Sequence, residues 1–322
     1  MTQPLIVDIK RHSLEDGPGI RSVVFFKGCP LRCVFCQNPE TQAFGPEIAF
    51  RSRRCIDCKS CIGACPQRHS VSFLLPSASS TAGGRAAQVP RLVGFPHCDT
   101  CGACVRVCPS GALALIGQRL SVDEIVDVVL RDEPYYRHSG GGVTLSGGEC
   151  TAFPEFAGEL LARLRGRGIS AAIETCGEFS YPQFAQWILP HVDPILFDVK
   201  LADDEAHVRF TGRSNQRIWA NLARLLALVP ERVQPRIPLI PGVTATRENL
   251  AALAARLAEL GARSLTLLPY NSLGATMAES LGRPAPVWRP ETSAWSHQAG
   301  EAIKWFKTEV ARHSFRVLPA SG

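Results

Sequence analysis

Short runs rich in β-branched and aromatic residues alternate with stretches of helical period along most of the chain. SVVFFK at 22–27 comes first, then VTLSGGE at 143–149, ISAAIE at 169–174, PILFDVK at 194–200, VQPRIPLI at 233–240 and SLTLLPY at 264–270, six strand candidates. Between them, RENLAALAARLAEL repeats Leu250, Leu253, Leu257 and Leu260 at helical spacing and stops before Gly261, a residue suited to a helix C-terminus. SVDEIVDVVL opens with Ser121 and Glu124 in capping-box spacing, PEFAGELLARLRGRG with Pro154 at a first helical position, and NQRIWANLARLLAL fills the next gap. Repeated βα units predict parallel strands with right-handed crossovers, so the expected class is α/β, a partial (β/α)6 barrel of the TIM type. Chemistry in such barrels collects at the carboxyl ends of the strands. This sequence keeps its unusual residues there: cysteines after the first strand, SGGE after the second, Glu174 and Thr175 after the third, Asp198 and Lys200 after the fourth.

Composition narrows the class. At 322 residues, 45% hydrophobic and 20% charged, the chain is an ordinary globular one, long enough for a large barrel domain and a smaller module. MTQPLIVDIKRH lacks the apolar core of a signal peptide, and no apolar run approaches the roughly 18 residues of a membrane span. A cytoplasmic protein without a membrane partner is expected. The net charge of +6 is spread over predicted helix faces, as at Arg163, Arg165 and Arg167, with no basic stripe carrying interleaved aromatics. No nucleic-acid partner is therefore expected. Thirteen cysteines sit mostly in C-x-x-C clusters, which in a reducing compartment argues for metal ligation over disulfides.

Residues 46–116 break the alternation and divide the chain into a barrel, 1–45 with 117–322, and an insert. Within the insert, PSASSTAGGRAAQVP at 76–90 reads as a linker. On either side stand CIDCKSCIGACP and CDTCGACVRVCP, each C-x2-C-x2-C-x3-C-P. This is the bacterial two-cluster ferredoxin run, which pairs Cys55, Cys58 and Cys61 with Cys108 on one [4Fe-4S] cluster, and Cys98, Cys101 and Cys104 with Cys65 on the other. Zinc also accepts C-x-x-C pairs, but two copies of four cysteines, each followed by proline, favour iron and sulfur. Both sets are complete and leave no open iron, so their task is electron transfer or the stapling of a small module.

GCPLRCVFCQNPE at 28–40 differs. Its C-x3-C-x2-C motif supplies only Cys29, Cys33 and Cys36, which leaves one iron of a cubane free for a small molecule. Set after a first strand in a βα barrel, the motif resembles the radical S-adenosylmethionine superfamily. More narrowly, DGPGIRSVVFFKGCPLRCVFCQNPE (16–40), GGVTLSGGE (141–149), ILFDVK (195–200), TGRSNQRIWANL (211–222), PRIPLIPGVT (235–244) and LPYNSLG (268–274) resemble the activating enzymes of glycyl radical enzymes. The two-cluster insert is similar to that of the larger members, such as the activases of 4-hydroxyphenylacetate decarboxylase, benzylsuccinate synthase and glycerol dehydratase.

The resemblance implies an anaerobic oxidoreductase with three [4Fe-4S] clusters, one of them open. S-adenosylmethionine would chelate the open iron through its amino nitrogen and carboxylate. One electron would cleave the sulfonium bond, giving methionine and a 5'-deoxyadenosyl radical that takes hydrogen from a backbone glycine of a partner glycyl radical enzyme. A reduced flavodoxin or ferredoxin is the implied electron donor. Phe35 matches the aromatic near the adenine, with plain core packing as the other reading; Gln37 and Asn271 would be further cofactor contacts. Gly147 and Gly148 would permit close backbone approach and the Glu149 carboxylate would meet the methionyl ammonium. Asp198 and Lys200 match a DxK motif in which Lys200 neutralises the methionyl carboxylate, unless it is merely a solvated lysine, and Arg236 assists as a second cation.

Glu174 and Thr175 stand where many relatives carry Asp-Thr or Asp-Ser, and Asn271 where some carry histidine. Cys150 and Cys176 read as small packing residues. Two other functions compete. A radical enzyme that modifies a peptide or small molecule with auxiliary clusters leaves DGPGIR, IPG and LPY without a reason, and a plain electron carrier leaves C-x3-C-x2-C and SGGE without one.

Overall fold

The computed structural model describes residues 3–67, 98–271 and 273–283, with shorter described stretches at 72–74, 91–94, 304–306, 308 and 316–318. The expected linker at 76–90 lies outside the described residues. A nine-stranded sheet organises the chain. Numbered in chain order, its strands are β1 Leu5–Ser13, β2 Arg21–Lys27, β3 Gln118–Arg119, β4 Gly142–Gly147, β5 Ser170–Thr175, β6 Ile195–Asp198, β7 Val233–Leu239, β8 Ser264–Pro269 and β9 Arg316–Leu318. In space they follow the order β9-β8-β7-β6-β5-β4-β2-β1-β3. From β2 through β9 along this sheet the pairing is parallel, while β1 pairs antiparallel with both β2 and β3.

All six predicted strands are present, and β9 adds a seventh to the parallel run. Among the described residues β9 and β3 do not pair with each other, so the barrel is open. The strand β1 escaped prediction because only its Ile6 and Ser13 are buried, and a largely exposed strand of that kind carries no apolar run. Helices α1 (Val122–Val129), α2 (Glu133–Ser139), α3 (Pro154–Arg165), α4 (Asp204–Thr211), α5 (Gln216–Leu228), α6 (Arg247–Glu259) and α7 (Leu273–Ser280) connect the strands. The capping box of α1 is formed: Glu124 N donates to Ser121 Oγ at 3.2 Å, and Ser121 N to Glu124 Oε2 at 2.7 Å. Pro154 opens α3, and Gly261 follows α6 at φ +76°. Leu160, Leu161 and Leu164 of α3, Leu222 and Leu225 of α5 and Leu253 and Leu257 of α6 pack with Leu145, Ile173, Phe197 and Leu265 of the strands in one core. Each such side chain contributes about 1.5–3 kcal/mol by leaving water.

DGPGIR lies under the amino ends of the strands. Arg21 is wholly buried at the start of β2, and its guanidinium donates to Thr144 Oγ1 at 2.7 Å, Val143 O at 2.8 Å, Pro18 O and Ser170 O at 3.2 Å. Thr144 Oγ1 in turn donates to Asp16 O at 2.7 Å. A Cβ on Gly17 would touch the Arg21 and Leu196 side chains at 3.1 and 3.7 Å, so this loop fills the floor beneath β2, β4, β5 and β6. Burial pulls the Arg21 guanidinium down to about 10, which leaves it charged at neutral pH.

The insert stands on an antiparallel stem, Glu47–Phe50 against Leu113–Ile116. Each cysteine repeat ends in a short helix, Ser60–Ala64 or Ala103–Arg106. The copies match in backbone as well as in sequence: Asp57 and Thr100 take φ of 54° and 57°, Lys59 and Gly102 of 60° and 72°. In both, the amide two residues on donates to the first cysteine sulfur, Asp57 N to Cys55 Sγ at 3.4 Å and Thr100 N to Cys98 Sγ at 3.3 Å. Among the described residues no helix is long and apolar enough to cross a membrane.

Candidate active site

Gly28, at φ +114°, turns the chain out of β2 into the three-cysteine loop. Backbone bonds pin this loop on both sides. Gly28 N donates to Thr41 O at 2.7 Å and Cys29 N to Gln42 O at 3.1 Å, while Arg32 N and Val34 N donate to Thr211 O at 2.7 Å and Phe210 O at 3.0 Å at the end of α4. Arg32 Nη1 adds bonds to Cys29 O at 2.7 Å and Gln42 O at 3.1 Å, and Gln42 Nε2 donates to Cys33 O at 3.1 Å. Arg32 and Gln42 were not predicted, since a lone polar residue beside a motif carries no periodic signal. Cys29 is buried and Cys33 and Cys36 are half-buried.

The SGGE turn after β4 docks on this loop. Gly148 N donates to Phe26 O and Glu149 N to Gly28 O, both at 2.8 Å. No side chain fits between them: a Cβ on Gly147 would stand 2.4 Å from Phe26 N and O, and one on Gly148 2.3 Å from Gly28 O. Glu149 is fully buried. Its Oε1 accepts from Thr151 Oγ1 at 2.7 Å and Thr175 Oγ1 at 2.9 Å, and its Oε2 from Cys176 N at 2.7 Å. Neutral donors of this chain thus surround a carboxylate that the resemblance assigned to the methionyl ammonium.

The two extra cysteines part company. Cys150 sits in the main core, with Sγ 3.6 Å from Leu145 O and 3.7 Å from Glu174 O, a packing residue. Cys176 is packed too, but against Cys29, Leu31 and Cys33. A hydrogen bond from Cys176 draws the Cys29 thiol below its ordinary value and holds Cys176 well above it. Burial pushes Cys33 up to about 12 and Cys36 up as well, so these two become thiolates by exchanging a proton for metal.

Across β5 to β7, four charged side chains alternate in sign. The β6/β7 register sets Asp198 opposite Arg236, and Arg236 Nε and Nη2 both reach Asp198 Oδ1 at 2.9 Å. Arg236 Nη1 pairs with Glu174, whose other oxygen accepts from Ser146 Oγ. Lys200 Nζ lies 3.3 Å from Asp198 Oδ2. The side chains of Arg236 and Lys200 are only 7% and 11% exposed. Burial opposes these charges, but Asp198 holds Lys200 and Arg236 above their usual values, and the two cations hold Asp198 below its own. Glu174 is pushed up, because burial, with Asp16 and Asp198 nearby, outweighs the pull of Arg236.

Phe35 packs with Leu201, Ile240 and Val243, beside Phe210 and Tyr270, in an apolar patch built largely from segments after β6, β7 and β8. Gln37 and Asn271 stay exposed at the rim. There a Cβ on Gly274 would stand 2.2 Å from Cys36 O, so α7 rests on the loop, and Asn271 Oδ1 accepts from Leu273 N at 2.9 Å. In the insert, Cys55, Cys61, Cys98, Cys104 and Cys108 gather around Ile48, Phe50 and Leu113. Burial pushes the Cys61 and Cys104 thiols up, and neighbouring thiols from both repeats add to the rise. Among the described residues no three His, Cys, Asp or Glu side chains converge on a single metal ion. An iron–sulfur cluster makes another demand, thiolates spaced around it on separate irons, and three thiols on one loop with eight in the insert are the donors it takes.

Models of a 4Fe-4S single cluster domain, a 4Fe-4S dicluster domain and the radical SAM superfamily match residues 15–68, 47–109 and 106–254. The chain is 39% identical over 304 residues to the isethionate sulfite-lyase activating enzyme of Nitratidesulfovibrio vulgaris, covering 94% of this chain and 95% of that one. It is 36% identical over 310 residues to the indoleacetate decarboxylase activating enzyme of Tractidigestivibacter scatoligenes, covering 93% and 94%. Against the benzylsuccinate synthase activating enzyme of Thauera aromatica it is 38% identical over 285 residues, covering 88% and 83%. With that likeness over nearly its whole length, and with the cysteine loop seated on the carboxyl edge of an open α/β barrel, the chain belongs to the activating enzymes of glycyl radical enzymes, in the radical S-adenosylmethionine superfamily.

Proposed function

We propose that Cys29, Cys33 and Cys36 hold a [4Fe-4S] cluster whose open iron takes S-adenosylmethionine, and that the insert carries two further clusters, three in all. The observation that carries this is the docking of the SGGE turn on the cysteine loop, through the bond from Glu149 N to Gly28 O at 2.8 Å. When bound, the cluster supplies the electron that cleaves the sulfonium to methionine and a 5'-deoxyadenosyl radical, which abstracts hydrogen from a backbone glycine of the partner. The chain's own residues bind and orient. Lys200, sharing Asp198 with Arg236, takes the methionyl carboxylate, with Arg236 behind it as the second cation. Gly147 and Gly148 let the turn approach, and Glu149 holds Thr175 and Cys176 beside the ammonium site. The Phe35 patch faces the adenine and Gln37 and Asn271 border it. Cys108 completes the set of Cys55, Cys58 and Cys61, and Cys65 that of Cys98, Cys101 and Cys104, the crossed pairing of the two-cluster ferredoxin run.

The partner is a glycyl radical enzyme of the kind those relatives activate, and the setting cytoplasmic and anaerobic. Incubating candidate partners, beginning with isethionate sulfite-lyase, with this enzyme, S-adenosylmethionine and reductant should give a glycyl-radical EPR doublet in one of them. Cleavage of S-adenosylmethionine without a doublet in any would sink the reading.

For the donor we propose a reduced flavodoxin or ferredoxin, an acidic protein, meeting the insert. Arg51, Arg53, Arg54 and Lys59 are exposed around Cys55 and the exposed Cys58 and make no ion pair among the described residues. Opposite charge raises encounter rates by about 10–10³ and the gain fades with salt. Arg53→Glu/Arg54→Glu should slow flavodoxin-driven cleavage at least about tenfold and flatten its salt dependence. Dithionite, which needs no docking surface, supplies the reference rate, and an equal fall with both reductants would count against the site.

A further inference from the structure

Cys176 follows Thr175 at the carboxyl end of β5 and is 7% exposed. Two restraints aim it. Its amide and the Thr175 hydroxyl donate to the two oxygens of Glu149, at 2.7 and 2.9 Å, while the Glu149 amide donates to Gly28 O at 2.8 Å, one residue before Cys29. A single buried residue thereby joins the end of β5 to the cysteine loop, through its carboxylate on one side and its backbone on the other. Beyond Cys176, Gly177 at φ +80° donates to Thr175 Oγ1 at 3.0 Å, and a Cβ there would come 2.3 Å from the Phe197 ring, so the chain cannot swing away. Between these restraints the Cys176 side chain packs against Cys29 in the buried patch with Leu31. A thiol is a weak donor and a thiolate an acceptor. As a ligand Cys29 gives up its proton, so the proton left at this contact is the one on Cys176.

We infer that Cys176 is a positioning residue of the open-site cluster, its S–H donating to the ligand sulfur of Cys29 and raising the cluster's reduction potential. This rests on the assignment of a cluster to Cys29, Cys33 and Cys36. An added electron increases the negative charge on the cluster and its thiolates, so a donor on one sulfur stabilises the reduced form more than the oxidised form. Burial strengthens the effect, because little water competes for the sulfur. Cys150, on core carbonyls instead, touches no cluster ligand and supplies the contrast.

The test is an EPR-monitored redox titration of the full-length reconstituted protein, reading the reduced signal that changes when S-adenosylmethionine is added. That response separates the open-site cluster from the auxiliary ones. Cys176→Ala should lower the potential by a tenfold change in the reduction equilibrium, about 59 mV for one electron. Cys176→Ser, which keeps a donor, and Cys150→Ala should titrate near wild type. A wild-type potential in Cys176→Ala, or equal shifts in Cys176→Ala and Cys176→Ser, would overturn the inference. Should the Ala variant take up no iron at the open site, wild-type protein in D2O decides: an exchangeable deuteron coupled to the reduced signal is expected, and its absence overturns the inference. A wild-type signal that ignores S-adenosylmethionine would instead overturn the cluster assignment and the inference with it.

Discussion

Cys33→Ala is expected to abolish cleavage of S-adenosylmethionine while iron content falls by only about a third, since the two clusters proposed for the insert would keep complete thiolate sets. The expectation is sharp because the loop does not depend on that thiol for its shape. Its backbone is held by Thr41 O and Gln42 O on one side and Phe210 O and Thr211 O on the other, and the Cys33 carbonyl keeps its bond from Gln42 Nε2. The variant therefore loses a ligand and little else, with a stability change of about 1 kcal/mol. Iron analysis and the release of 5'-deoxyadenosine check the two halves. Retained cleavage would mean that an insert cluster does the chemistry, and would end the reading of the open corner.

Gly148→Ala is expected to cost about 1–3 kcal/mol by overpacking and to slow cleavage by about 10²-fold through misplacement of the cluster loop. The added Cβ would stand 2.3 Å from Gly28 O and 2.6 Å from Thr41 O, two backbone atoms that are themselves joined through the Gly28 N bond to Thr41 O. Neither can rotate aside as a side chain would, so relief comes from moving Gly28, and Cys29 goes with it. Gly45→Ala supplies the comparison, because a Cβ there meets nothing within 4 Å and the change should stay within about 0.5 kcal/mol. Thermal melts and single-turnover cleavage rates on both variants measure the difference. Equal behaviour of the two would refute the account of the turn.

The barrel strands were legible because each announces itself locally, and the cysteine motifs are read in the same way. A strand such as VTLSGGE is a short apolar run bounded by turn residues, and C-x3-C-x2-C is read within eight positions. The strand β1 was not legible, because its evidence is pairing with β2 rather than burial of its own side chains. Neither was the fate of Glu149. Its motif points the carboxylate at a methionyl ammonium, and the donors that bury it come from Thr151, Thr175 and Cys176, the last two 26 and 27 residues away. Cys150 and Cys176 look alike as lone cysteines after matched motifs, and only the fold sends one to the core and the other to Cys29. Arg236 could be named as a cation from its motif, but not that Glu174 and Asp198 would bracket it, since that follows from the register of neighbouring strands.

The buried Arg21 and the loop from Asp16 to Ile20 fill the amino end beneath four strands. With that end plugged, the small cosubstrate and the macromolecular one are both left to meet the cysteine loop at the carboxyl edge. A protein seated there would stand in the small molecule's way, so the cosubstrate is expected to enter first and the partner to leave first. Turnover on an excess of partner should then be paced by undocking, a traffic rule written by the floor rather than by any residue that touches the chemistry.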